Sequence, residues 1–419
     1  MIIGVTTENF PGERRVALVP ASVSTLRKMN NEVLVERGAG ISAGFPDAAY
    51  EQAGAKLVND RNEVIRSAEI LLQVRAAVAN PEQGQADIDQ LKSGQILIAQ
   101  CDPLSDAQKM VSLAEKNALI FALEMVPRIT RAQSMDVLSS MATIAGYKAV
   151  LLAASHLPQM FPMMMTAAGT LAPARVFIVG AGVAGLQAIA SARRMGAVVN
   201  AYDVRPVVKE QVESLGAKFV EMELEGGEGS GGYAKEMGEE FLKKQREMML
   251  KVLAESEVVI TTAAVPGKKA PLLVTEEMVE AMPPGSVVVD LAAERGGNCA
   301  LTKPGETIEV HGVTILGPLN VPSDIPKHAS QMYSNNVTTF LKLLINKEGK
   351  LTLNLSDEVV KGTLVTHQGQ VVHPLVRQVA GLPEEIEKAA PPEPEPPVEE
   401  STDSNSSSDD NGDTYRLQS

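Results

Sequence analysis

RVFIVGAGVAGLQAIASARRMGAVVNAYD, residues Arg175 to Asp203, decides the fold. Its first residues, Arg175 to Val179, form a short apolar run that reads as a buried strand. Gly180, Gly182 and Gly185 follow at G-x-G-x-x-G spacing, an alanine-rich helical pattern comes next, and a second strand, Ala197 to Tyr202, ends at Asp203. Each glycine has a separate task in such a turn. Gly180 permits the tight bend, Gly182 lets backbone approach a pyrophosphate, and Gly185 lets helix and strand pack closely. The helix N-terminus presents free N–H groups and the positive end of its dipole to phosphate. Asp203, 18 positions after the third glycine, can accept hydrogen bonds from an adenosine ribose. A carboxylate there repels a 2′-phosphate, so the pattern favours NAD(H) over NADP(H), a preference that Arg205 weakens slightly. Without a ligand, the same pattern describes a glycine turn that serves only the sheet.

Outward from this stretch the chain alternates strands and helices. Before it, Ile2 to Thr6, Glu32 to Glu36, Glu69 to Val74 and Gln95 to Ala99 read as strands, with helices over Pro20 to Met29 and Ser105 to Glu115. After it, Ala217 to Glu221, Glu257 to Thr262, Ser286 to Leu291 and Thr314 to Leu316 read as strands, and His328 to Ile345 as a helix. The fold class is therefore α/β, with two doubly wound, largely parallel sheets of Rossmann type around a cofactor cleft. The expected boundaries are residues 1–136 with 328–380 for the first domain and 137–327 for the NAD(H)-binding domain. Residues 381–419 form a Pro/Glu-rich, then Ser/Asp/Asn-rich tail that cannot bury enough apolar area to order itself.

Three polar segments border the expected cleft. Pro11 to Val23 puts Arg14 and Arg15 in a loop ahead of a helix, where either can bind an anion or be a solvated charge. Met125 to Ala154 begins with Arg128, Thr130, Arg131, Gln133, Ser134, Asp136, Ser139 and Ser140 and continues as a long apolar helix, Val137 to Ala154, that crosses between the domains. A polar cluster at that hinge suits a nicotinamide; an ordinary capped helix start is the plainer alternative. Gly226 to Met237, GGEGSGGYAKEM, reads either as a lid anchored by Tyr233 or as a surface connection.

The 419 residues suffice for two or three domains, and 44% hydrophobic content supplies sizeable cores. No uninterrupted apolar run reaches the length of a membrane span and the N-terminus does not read as a signal peptide, so no transmembrane helix is expected. The net charge of −14 is concentrated from Glu384 onward, where eleven acids face two bases. That balance speaks against nucleic acid as a partner. Cys101 and Cys299 show neither metal nor redox spacing, and no metal site is expected.

One kind of chemistry is missing. A dehydrogenase that oxidises an alcohol or amine needs a proton acceptor, usually His or Lys. The histidines are His156, His311, His328, His367 and His373. None occupies an evident polar motif beside the cleft, and His311 falls in a strand-like stretch. Hydride transfer between two nicotinamides needs no such base.

Four blocks in order, PRITRAQSMDVLSS with IAGYKAV, VGAGVAGLQAIA with AYDVR, GGYAKEMGEEF, and DLAAERGGNCALT, make the chain resemble the NAD(H)-binding component (domain I, the alpha-1 subunit) of proton-translocating NAD(P) transhydrogenases over about residues 1–380. The related alanine dehydrogenases share the GERRVAL-type block and the two-domain plan. The resemblance implies that Arg128, Asp136 and Ser139 hold the nicotinamide carboxamide end, and that Gln133 reaches toward the ribose of a second nucleotide. It assigns pyrophosphate and adenosine ribose to Gly180, Gly182, Gly185 and Asp203, and lid closure to Tyr233. It also implies NADP(H) on a separate domain III, a membrane domain II that passes protons (the alpha-2 and beta subunits), a homodimer, and peripheral attachment on the cytoplasmic side. An alanine dehydrogenase would supply a substrate-binding lysine where Arg75 stands and a catalytic histidine near Gln100 to Asp102, and these departures count against alanine chemistry. They leave Arg15, at the carboxylate-binding position, without an evident substrate. A self-contained amino- or hydroxy-acid dehydrogenase and a non-catalytic NAD(H) sensor are the competing readings.

Overall fold

The structure, a computed structural model, describes residues 1–221, 239–264 and 267–384. Tyr233, the rest of its glycine-rich segment and the acidic tail beyond Glu384 lie outside the described residues. The chain lays down β1 (Ile2–Val5), β2 (Glu32–Glu36), β3 (Lys56–Val58), β4 (Ile70–Arg75), β5 (Ile96–Gln100) and β6 (Leu119–Ala122). A small hairpin follows, β7 (Met164–Thr166) and β8 (Gly169–Leu171). Then come β9 (Arg175–Val179), β10 (Val198–Tyr202), β11 (Lys218–Phe219), β12 (Val258–Thr261), β13 (Val287–Asp290), β14 (Thr307–Val310) and β15 (Val313–Leu316). Last are β16 (Leu364–His367) and β17 (Gln370–Val371).

Two large sheets result. The first has the order β17-β16-β6-β5-β4-β1-β2-β3 and the second β11-β10-β9-β12-β13-β15-β14. The neighbours are parallel except for β16 on β6, β17 on β16, and β14 on β15. Strands covered on both faces must be apolar throughout. β12 and β13, VVIT and VVVD, accordingly have no exposed residue. In each sheet the strand order reverses once, between β1 and β4 and between β9 and β12. In such sheets a crevice opens beyond the carboxyl ends of the strands at that point.

Two helices cross between the sheets. Val137–His156 packs Val137, Met141 and Ile144 into the core of the first sheet and Ala149, Val150 and Ala153 into that of the second. Serving two cores makes it apolar on most of its surface. By length and composition it is long and apolar enough to cross a membrane, which corrects the expectation that no helix would be. Ser, Thr and Gly residues and Lys148 interrupt its apolar runs, so no unbroken apolar stretch marks it in the sequence. Pro326–Leu344 carries the chain back to the first sheet. There Phe340 meets Phe121 edge to face at 5.5 Å, and the Tyr333 hydroxyl donates to Gln73 O at 2.8 Å.

The parallel strands and long helices stand near their expected positions. The stretch expected as a strand over Ala217 to Glu221 contracts to two paired residues, Lys218 and Phe219. His311 is not in a strand. It takes φ of 53° in the turn that joins β14 to β15, followed by Gly312 at 74°, the left-handed pair that a two-residue hairpin loop demands.

Candidate functional site

The glycine loop joins β9 to the helix Val183–Arg194 at the reversal of the second sheet. Gly180 takes φ of 99°, and a Cβ there would stand 2.7 Å from Thr262 Oγ1. A Cβ on Gly185 would overlap Gly180 O. Both glycines are required by the fold itself. Gly182 differs: its φ is −78°, and a Cβ would meet nothing within 4 Å. No side chain caps this helix N-terminus and no acid occupies its first turn. The fold leaves its N–H groups beside open space, the arrangement that receives an anion.

Asp203 ends β10 and turns its carboxylate back under the loop. Oδ2 accepts from Ala181 N at 2.8 Å and Oδ1 from Arg205 N at 2.9 Å, while Arg205 Nε and Nη2 add a fork at 3.0 Å each. Burial pushes this carboxyl up, but the side-chain and backbone hydrogen bonds of Arg205, with that of Ala181, outweigh burial and hold it below the usual carboxylate range.

The loops after β12 and β13 are held by residues that motif reading did not single out. Buried Asp290 accepts from Thr261 Oγ1 (2.9 Å), Thr302 Oγ1 (2.7 Å) and the backbone N–H groups of Ala292, Asn298 and Cys299. Asn298, fully buried, accepts from Ala263 N at 3.0 Å and donates to Ala263 O and Pro271 O at 2.8 Å. Thr262 Oγ1 donates to Gly180 O at 2.9 Å. The sequence signal for this network is a run of polar residues directly after apolar strands.

The polar hinge proves to be a helix cap carrying exposed groups. Asp136 is the N-cap of Val137–His156; Oδ1 accepts from Ser139 N at 2.9 Å and Oδ2 from Ser139 Oγ at 2.6 Å. Arg128 and Gln133 are exposed and have no side-chain hydrogen bond among the described residues, while Arg131 pairs with Asp357 at 2.9 Å. The cap is tied to the glycine loop through the helix it starts. A Cβ on Gly146 would overlap Ala184 O, in the first turn of the glycine-loop helix. The seven residues from Ser139 to Gly146 correspond to about 10 Å along the axis.

The crevice of the first sheet is filled from within. Glu8 accepts from Val74 N (2.6 Å) and Arg75 N (3.1 Å). Buried Arg15 forks onto buried Glu13, Nε to Oε1 at 2.7 Å and Nη2 to Oε2 at 2.6 Å. Asn320, after β15, joins both, and Arg75 reaches Glu294 at 3.1 Å while its guanidinium lies 4.6 Å from the centre of the Phe10 ring. Arg295 spans to Asp102 (2.8 Å) and Ser105 (2.6 Å). Loops from the carboxyl ends of both sheets thus meet through paired charges. Burial pushes Glu8 up to about 8 and Glu124 to about 7, while Arg15 overcomes burial at Glu13 and holds it near 2. Histidine is absent from this crevice: His156, His311 and His328 are exposed, and His367 and His373 lie at and beside the outer strands β16 and β17. Among the described residues, no group of three or more His, Cys, Asp or Glu could hold a metal.

Comparison with known proteins gives a consistent result. The family models described as alanine dehydrogenase/PNT, N-terminal domain and C-terminal domain match residues 4–145 and 149–374. The chain is 47% identical over 378 residues to the first chain of the divided NAD(P) transhydrogenase subunit alpha of Rhodospirillum rubrum, covering 89% of this chain and 98% of that one. It is similar to the crystal structure of transhydrogenase from Sinorhizobium meliloti, with TM-score 0.79 and 46% identity over 89% of this chain and 100% of the other. A solved L-alanine dehydrogenase is more distant, with TM-score 0.74 and 28% identity over 91% and 99%.

Proposed function

The chain belongs to the alanine dehydrogenase/PNT family, and from that premise we propose that it is the NAD(H)-binding subunit of a proton-translocating NAD(P) transhydrogenase. Bound NAD(H) supplies a hydride that passes directly to or from the nicotinamide of NADP(H) on a partner domain III, coupled to proton movement through a membrane domain II. The observation that carries this reading is the contrast between the two crevices. The glycine-loop crevice keeps open backbone and an uncapped helix end. The other crevice has its arginines already engaged by Glu13 and Glu294 and contains no histidine. Residues that bind a dinucleotide are in place, whereas the proton acceptor that oxidation of an amine would require is not.

In this reading residues 137–327 are the NAD(H) domain and residues 1–136 with 328–380 the first domain. Gly180, Gly182 and Gly185 bring backbone N–H groups to the pyrophosphate, and Asp203 accepts from the adenosine ribose. Ser139 gives its hydroxyl proton to Asp136 and so keeps its lone pairs for a carboxamide N–H. Arg128 and Gln133, exposed beside that cap, orient the reacting rings, with Gln133 turned toward the ribose of the second nucleotide. Tyr233 closes the lid. The chain acts as a homodimer on the cytoplasmic face of its membrane. Supporting the dimer is the protruding hairpin β7–β8, where Met163, Met164, Met165 and Leu171 are exposed.

The test mixes the purified chain with an NADP(H)-binding domain III and follows hydride exchange between NADH and an NADP(H)-linked analogue, with alanine plus NAD as control. Exchange that needs both proteins, with a silent control, is expected. Turnover of alanine by this chain alone would replace the proposal with the alanine dehydrogenase reading.

A further inference from the structure

Asp203 has more partners than a waiting ribose acceptor should have. An ionised carboxylate offers about four acceptor positions. Here four N–H groups take them: Ala181 N and Arg205 N from the backbone, and Arg205 Nε and Nη2 from the side chain, all between 2.8 and 3.0 Å. The backbone donors are fixed by the turn. The guanidinium is not, since its side chain is 48% exposed against 7% for the carboxylate it holds. A ribose diol also binds a carboxylate through two hydrogen bonds, so it needs the positions that the guanidinium fork occupies.

We propose that Arg205 is a specificity-determining residue for the adenosine end: it covers the Asp203 carboxylate while the ribose position is empty, and it is the group that receives a 2′-phosphate when Asp203 is removed. The proposal rests on the dinucleotide reading of the glycine loop. NAD(H) binding is then an exchange in which ribose hydroxyls replace the fork and Arg205 swings outward. An exposed ion pair of this kind is weak enough to be displaced. The displaced guanidinium stays tethered two residues from Asp203, and its planar fork matches a phosphate as it matches a carboxylate. Asp203 therefore excludes NADP(H) twice, by repelling the 2′-phosphate and by holding the residue that would attract it.

Binding of NADH and of NADPH is measured by nicotinamide fluorescence on the wild type, Arg205→Ala, Asp203→Asn and the double variant. The ratio of the two affinities is read within each protein, so a change in folded fraction cancels. Arg205→Ala is expected to bind NADH about two- to fivefold more tightly, the worth of one exposed ion pair. Asp203→Asn should shift the ratio toward NADPH tenfold or more, and the double variant should lose that shift. Weaker NADH binding by Arg205→Ala, or an equal shift with and without Arg205, overturns the proposal while leaving the dinucleotide reading intact. A wild-type chain that binds no NADH overturns both.

Discussion

The three glycines of the loop are alike in the motif and unlike in the molecule. Gly180 and Gly185 are demanded by Thr262 Oγ1 and Gly180 O, whereas nothing in the protein stands against Gly182. Gly185→Ala should therefore cost about 3 kcal/mol of stability through overpacking. Gly182→Ala should unfold within about 0.5 kcal/mol of the wild type yet lose NADH affinity tenfold or more, because the added methyl occupies the place of the pyrophosphate. Denaturant melts beside NADH titrations check both; equal stability losses would mean that Gly182 is structural too. The motif made these positions legible but not their division of labour, which depends on strand β12 arriving from far along the chain. Glu124 was not legible at all. Its Oε1 takes the N–H groups of Cys101 and Asp102, and its buried Oε2 has no hydrogen-bond partner. Burial raises its pKa to about 7, so the folded state keeps a proton that the unfolded chain loses near 4.5. The resulting stability is fully present below pH 4.5 and falls away as pH rises to about 7. Glu124→Gln should remove a loss on the order of 3 kcal/mol between pH 5 and pH 8, measured by denaturant unfolding at the two values. An unchanged slope would assign the effect to Glu8 instead.

At the scale of elements, the helix Val137–His156 ties the site together. Its N-cap carries Asp136 and Ser139, and its middle lies against the helix that leaves the glycine loop. Gly146 permits that contact, since a Cβ would overlap the Ala184 backbone. Gly146→Ala should push the two helices apart, cost about 2–3 kcal/mol, and weaken NADH binding along with thermal stability. A variant that is destabilised but binds NADH as tightly as the wild type would show that the helix contact does not position the loop. Long, strongly patterned elements were readable because burial on both faces writes itself into composition, as in VVIT and VVVD. The outer pieces were not. β16 and β17 are four and two residues long, lie antiparallel at an edge and are defined by pairing rather than by local pattern. The turn at His311 hides in the sequence because Thr307–Val310 and Val313–Leu316 are both strands, and only the backbone shows the reversal between them.

At the scale of the whole molecule, the two-sheet plan was legible because the alternation of strands and helices repeats on both sides of the glycine loop. The engagement of the first crevice was not, since it depends on Asn320, Glu294 and Arg295 arriving from the second half of the chain. The hairpin β7–β8 is equally silent in the sequence: six residues, all exposed, give no pattern of burial to read. If it seats on a second copy of the chain, Met164→Asp with Met165→Asp should convert a dimer into a monomer in sedimentation equilibrium and leave NADH binding in place. A dimer that persists would move the interface elsewhere. The order of the first sheet has a further consequence, for the timing of synthesis. β6 is covered on its outer side by β16, and the face beneath it by Pro326–Leu344, both made after the entire second sheet. A ribosome therefore releases the second sheet as a segment able to close on itself while the first, begun earlier, still waits for its edge. The half of the molecule translated first is the half that finishes folding last.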